Sequence, residues 1–188
     1  MLYKLLTIKE NNMRKLVLAA FLFVSTISTN SLADIKMGII LGFTGPIESL
    51  TPAMANSAEL AFKEASDSGK LLGGKKISVE RADSTCVDSA AATTAAEGLV
   101  ANGVVAIMGA DCSGVTGAIA TNVAVPNGVV MISPSATSPG LTDLNDNGYF
   151  FRTAPSDARG GQILADITKD RKIKVLLSLI QTMTMVKV

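Results

Sequence analysis

Two hydroxyl-bearing stretches carry the residues best suited to chemistry in this chain. In Cys112-Ser113-Gly114-Val115-Thr116, Ser113 falls where a loop turns into a helix, so its hydroxyl and the free N–H groups behind it can receive a carboxylate. A serine there is equally an ordinary N-cap, and spacing alone leaves both readings open. In Ser133-Pro134-Ser135-Ala136-Thr137-Ser138-Pro139, two prolines hold the backbone extended. That leaves the main chain of Ser135 and Ala136 and the hydroxyl of Thr137 free for a ligand, or for water in a solvated turn. Catalytic readings are thin. The chain has no histidine, which removes a His-based triad, a His general base and a His metal ligand. Ser113 or Ser135 as a nucleophile would need a lysine base instead. No P-loop or paired-acid motif occurs, and Gly42-Phe43-Thr44-Gly45 lacks the third glycine of a dinucleotide fingerprint. The residues therefore describe a binder and not an enzyme, with no cofactor and no metal.

Those loops can share a site only if they leave the same edge of a sheet. From Asp34 onward short apolar runs alternate with amphipathic or Ala-rich stretches, the rhythm of a parallel sheet covered by helices. A first strand is expected over Ile35 to Phe43. Thr51 as N-cap and Pro52 at the first helical position open a helix with Met54, Ala58, Ala61, Phe62 and Ala65 at helical spacing, ended by Gly69. A second strand centres on Ile77 and Val79, and Asp88 caps an Ala-rich helix closed by Asn102-Gly103. Val104 to Met108 and Val129 to Ile132 read as further buried strands, with a helix over Val115 to Val125 between them. Tyr149 to Arg152 reads as extended, and Ser156 or Asp157 caps a helix to about Asp170. In such a sheet ligands collect at the carboxyl ends of the strands. The loops Gly42 to Leu50, Gly109 to Gly114 and Ser133 to Gly140 all fall there.

Composition and the N-terminus set the compartment. With 188 residues, 48% hydrophobic and 18% charged, the chain is long enough for one compact lobe and not for two. Met13-Arg14-Lys15, the apolar run Leu16 to Val24 and small residues ending Ser31-Leu32-Ala33 form a secretory signal peptide, with cleavage expected before Asp34. The apolar run is too short to span a bilayer. Residues 1–12 lie upstream of a better start at Met13. Removing the four basic and one acidic residues of 1–33 turns a net charge of +1 into about −2, and no basic patch invites nucleic acid. Cys86 and Cys112 are the only cysteines, and an even pair in an exported chain is expected to be bridged.

Three blocks carry a family likeness: Ile40-Leu41-Gly42-Phe43-Thr44-Gly45-Pro46, Cys112-Ser113-Gly114-Val115-Thr116, and the run from Pro126-Asn127-Gly128 through Ser133-Pro134-Ser135-Ala136-Thr137-Ser138-Pro139 with Phe151-Arg152-Thr153. From Asp34 to about Lys174 the chain resembles the branched-chain amino-acid type of periplasmic substrate-binding proteins of ABC importers. The resemblance implies the N-terminal lobe of a type I periplasmic binding fold, an α/β lobe whose parallel sheet is flanked by helices. A second lobe would close on the ligand at a hinge. It implies that Ser113 holds an amino acid's α-carboxylate, that Ser135, Ala136 and Thr137 supply main-chain and hydroxyl contacts, and that Cys86 and Cys112 pair. The partners implied are a small amino-acid-like ligand and a permease in the inner membrane. Leu50 stands where relatives often place an aromatic lining residue, and Glu48 adds a charge nearby, so weak or absent binding of leucine is expected. A ligand-sensing domain of the same fold is the alternative.

Residues 175–188 do not match the family and are expected to be out of frame. Read from the last base of Lys174 with suitable synonymous codons, the tail becomes Ser-Val-Ala-Ile-Thr-Tyr-Thr-Asn-Asn-Asp-Tyr-Gly-Lys-Gly, as the family would have it. The expected organisation is thus signal peptide 1–33, ligand-binding lobe 34–174 and aberrant tail 175–188, with the second lobe missing. Resequencing the gene across Lys174 tests the shift.

Overall fold

The computed structural model describes residues 35–173; the leader, the Asp34 cleavage point and the 175–188 tail lie outside them. Five parallel strands, β1 (Ile35–Leu41), β2 (Ile77–Asp83), β3 (Ala106–Gly109), β4 (Val130–Ser133) and β5 (Phe150–Arg152), form one sheet in the order β2-β1-β3-β4-β5. The helices between them are α1 (Thr51–Asp67), α2 (Ser89–Ala101) and α3 (Ser113–Ile119, continued by a π-helical turn over Ala120–Ala124), and α4 (Asp157–Asp170) follows β5.

Two cores flank β1, whose run of apolar residues suits burial on both faces. Ile39 and Leu41 meet α1 through Ala55, with Met54, Ala58 and Phe62 alongside and Val79 and Met108 from the neighbouring strands. Ile40 points the other way, into a larger core built from Ile107, Met131 and Phe150 of the sheet, Ala92, Ala96 and Leu99 of α2 and Val115 and Ile119 of α3. Gly38 lets α2 approach the sheet: a Cβ there would lie 3.0 Å from Leu99 and 3.1 Å from Val104.

Capping follows the sequence except at one end. Asp88 accepts the N–H groups of Ala90 and Ala91 at the start of α2, Gly103 follows it in the left-handed region, and Ser156 accepts the Ala158 N–H at the start of α4. Thr51 is not the N-cap of α1. Leu50 takes that place without a side-chain bond, while the Thr51 hydroxyl, fully buried, donates to the Gly42 carbonyl at 3.1 Å. A threonine beside Pro52 reads as a cap, but here tertiary burial claims its hydroxyl. β1 stops at Leu41 rather than Phe43, because the Phe43 N–H turns back onto the Leu41 carbonyl.

α4 contributes no buried residue, and Ile163, Leu164 and Ile167 lie exposed along it. The sheet face shared by Met108, Ile132 and Phe151 is covered by α1 only toward β1 and β2, leaving Val130, Ile132 and Phe151 open on β4 and β5.

Candidate functional site

The strand order reverses between β1 and β3, the place where ligands settle in open α/β sheets. Asp111, only 4% exposed, lies beneath that point. Its Oδ2 accepts the Gly42 N–H at 2.7 Å, and its Oδ1 accepts the Cys112 N–H at 2.9 Å and the Ser84 hydroxyl at 3.3 Å. Gly42 is held close enough that a Cβ would sit 3.1 Å from the Cys86 Cβ. Gly109, at φ +138°, brings the backbone so near Ile40 that a Cβ would fall 2.0 Å from its carbonyl oxygen, so the turn out of β3 requires glycine. The Cys86–Cys112 bridge, with Cα atoms 5.2 Å apart, ties the loop after β2 to the loop after β3, as the cysteine pair leads one to expect.

The third loop lies against this floor. Ser133 is buried, donates to the Ala110 carbonyl and accepts the Ala136 N–H, while the Ser135 hydroxyl donates to the Asp111 carbonyl at 2.9 Å. Above them the Ser113 oxygen accepts the N–H groups of Thr137 at 3.2 Å and Ser138 at 3.1 Å. Cys112 is the N-cap of α3, so Ser113 is the first helical residue and its hydroxyl bridges two loops instead of capping. The structure thus brings Ser113, Ser135, Ala136 and Thr137 into one cradle. Glu48 and Leu50 lie in the exposed first loop, whose end is tied to the floor where the Thr51 hydroxyl donates to the Gly42 carbonyl; no side-chain hydrogen bond joins Glu48 to the cradle, and Leu50 is 61% exposed.

The cradle has a polarity. A hydroxyl has one proton and two lone pairs. Ser113 already accepts two N–H groups, so what it can still offer is its proton, which suits an anion. Thr137 spends its proton on Asp157 Oδ2 at 2.8 Å, and its oxygen can now only accept, which suits a cation. The Asp157 N–H in turn donates to the Thr137 carbonyl at 3.0 Å. Arg152 braces the loop from behind, donating to the Ser138 carbonyl at 2.7 Å and to the Thr142 hydroxyl at 2.6 Å.

Asp157, Asp111 and Arg152 escape a reading by sequence. Asp157 looks like a helix-start residue, Asp111 like a solvated loop acid, and Arg152 like the end of a strand. Only the placement of Asp157 beside the Ser-Pro-Ser-Ala-Thr loop, through a three-residue strand, reveals its pairing with Thr137.

At the first loop, the Asp83 carboxyl accepts the Thr44 hydroxyl at 2.6 Å and the Thr85 N–H at 2.8 Å. Burial pushes its pKa up, but the bonds from Thr44, Thr85 and the Phe43 backbone together outweigh this and hold it below the ordinary carboxylate value.

Residues 34–181 match the family model described as periplasmic binding protein. The Leu/Ile/Val-binding protein homolog 1 of Brucella abortus is 34% identical over 147 residues, covering 77% of this chain and 39% of that protein. Among solved structures, the branched-chain amino-acid transporter substrate-binding protein LivJ of Streptococcus pneumoniae, in complex with isoleucine, matches at a TM-score of 0.65 and 32% identity over 73% of this chain and 38% of that one. A solute-binding protein of Rhodopseudomonas palustris in complex with 3,4-dihydroxybenzoic acid matches at a TM-score of 0.63 and 25% identity, over 75% and 37% of the respective chains. This chain therefore spans less than half the length of the relatives it matches. The parallel sheet corresponds to their N-terminal lobe. With the family model matched from β1 through α4 and the bridged cysteines in place, the chain belongs to the periplasmic binding proteins, in the branched-chain amino-acid group.

Proposed function

We propose that this chain is the carboxylate- and ammonium-holding half of an amino-acid receptor that serves an ABC importer from the periplasm, reached through the leader at 1–33. The observation that carries the reading is the polarity of the cradle: a free hydroxyl proton at Ser113, and acceptors at Thr137 and Asp157. An α-amino acid zwitterion presents the complementary pair of charges on one carbon. A bare carboxylate would satisfy Ser113 and leave the acceptor side with nothing to accept. No catalytic step is assigned, since the site holds an anion donor and cation acceptors but no activated nucleophile.

Chemical-shift mapping of labelled protein tests this. L-α-amino acids are expected to move the Ser113, Thr137 and Asp157 amides together at millimolar concentration. Matched acids without the amino group, 3,4-dihydroxybenzoate included, are expected to move Ser113 alone. If no amino acid in a full panel perturbs these amides, or if the bare acids perturb all three as strongly, the amino-acid reading fails. Leucine is expected among the weak members of the panel, because Leu50 stands where relatives often place an aromatic lining residue and Glu48 adds a charge nearby.

A further inference from the structure

Asp111 is a buried acid with no basic side chain among its hydrogen-bond or ion-pair partners in the described residues. Burying such a group is costly unless donors replace its water. Here the donors come from three different places: Gly42 at the end of β1, Ser84 just past β2, and Cys112 just past β3. Its own carbonyl takes the Ser135 hydroxyl from the loop after β4. The ends of four strands therefore converge on one residue, two positions before Ser113.

We infer that Asp111 is the positioning residue of the cradle: its two carboxyl oxygens fix the loops after β1, β2 and β3 against one another and so set where the Ser113 hydroxyl stands beneath Thr137 and Ser138. The role is specific to an acid of this length. In Asp111→Asn the side chain keeps its size, but each oxygen position faces a backbone N–H, Gly42 on one side and Cys112 on the other. Whichever way the amide turns, its NH2 meets a donor. The inference takes the Ser113–Thr137 cradle as the binding site, as proposed above, yet its test does not need a ligand.

The test is amide hydrogen exchange on the full chain and its variants. In Asp111→Asn the amides of Gly42 and Cys112, and those of Thr137 and Ser138 reached through Ser113, are expected to exchange faster by on the order of tenfold or more, the size of one lost hydrogen bond to a charged group. Ile40 and Met131 in the sheet are expected to keep their protection. Ser84→Ala retains the acid and both N–H donors, and is expected to give the same pattern at a smaller size, which keeps the inference testable should Asp111→Asn not fold. Unchanged exchange at the four amides overturns it. So does equal acceleration at Ile40 and Met131, which would make Asp111 a general stabiliser. If amino acids fail to bind the parent protein while the selective pattern appears, the ligand proposal falls and the positioning role of Asp111 stands.

Discussion

Ser113 works through two accepted bonds and one proton held in reserve. Ser113→Ala leaves the Thr137 and Ser138 N–H groups without their acceptor in a half-buried loop, so a loss of about 1 kcal/mol in folding stability is expected by chemical denaturation. The same variant is expected to lose the response of the cradle to carboxylates altogether, a larger effect on binding than on stability. Asp83 gives a pH signature. Its folded pKa lies below its ordinary value near 3.8, so the stability it contributes is present in full above that value and disappears as pH falls through the folded pKa. Thermal melts are therefore expected to hold steady down to about pH 5 and to drop below about pH 4. Asp83→Asn is expected to shrink that drop, and an undiminished drop would show that other carboxyls govern it. Ser113, Ser135 and Thr137 stood out in the sequence through the family resemblance, since spacing alone left an ordinary N-cap and a solvated turn equally open. Asp111 did not, since a lone acid in a glycine-flanked loop gives no sign that four strands will end around it.

At the scale of elements, the strands and helices were readable where local chemistry and packing agree. Asp88, Gly103 and Ser156 cap as their types dictate, and the near-continuous apolar run of β1 marks a central strand. Boundaries slipped where a tertiary contact outbid the local signal, as when Thr51 left the cap position for the Gly42 carbonyl. The order β2-β1-β3-β4-β5 follows from long-range pairing and was legible only as a parallel class, not as an arrangement. The bridge between Cys86 and Cys112 joins two of the loops that form the floor, across a sequence separation of 26. Loop-closure entropy puts its contribution at about 3.5 kcal/mol. Replacing both cysteines by alanine is expected to lower the unfolding free energy by an amount of that order. The exchange protection of Gly42 is expected to fall further than that of Ile40, because the Gly42 backbone rests against Cys86. A double variant as stable as the parent would mean that the protein fabric already holds these loops together without the bond.

For the molecule as a whole, the two cores are unequally covered. Helices α2 and α3 close one face of the sheet, whereas α1 covers the other only over β1 and its neighbours. Val130 and Ile132 remain 40% exposed and Phe151 51%, side by side through the pairing of Ile132 with Phe151, and α4 carries Ile163, Leu164 and Ile167 in the open. Contiguous apolar surface of this kind, on a sheet whose last strand has one edge unpaired among the described residues, drives association when nothing lies over it. The 35–173 fold alone is thus expected to self-associate: sedimentation should show an average mass that rises with protein concentration, and a hydrophobic dye should bind without any denaturant. Changing Ile132 and Phe151 to lysine places two charges in the middle of that face while leaving the cradle and its floor untouched. The double variant is expected to sediment as a monomer and to bind less dye, with the amide pattern of Gly42, Ser113 and Thr137 preserved. If the parent is already monomeric at high concentration, or the lysines leave its association unchanged, the face over β4 and β5 is not the surface that drives assembly.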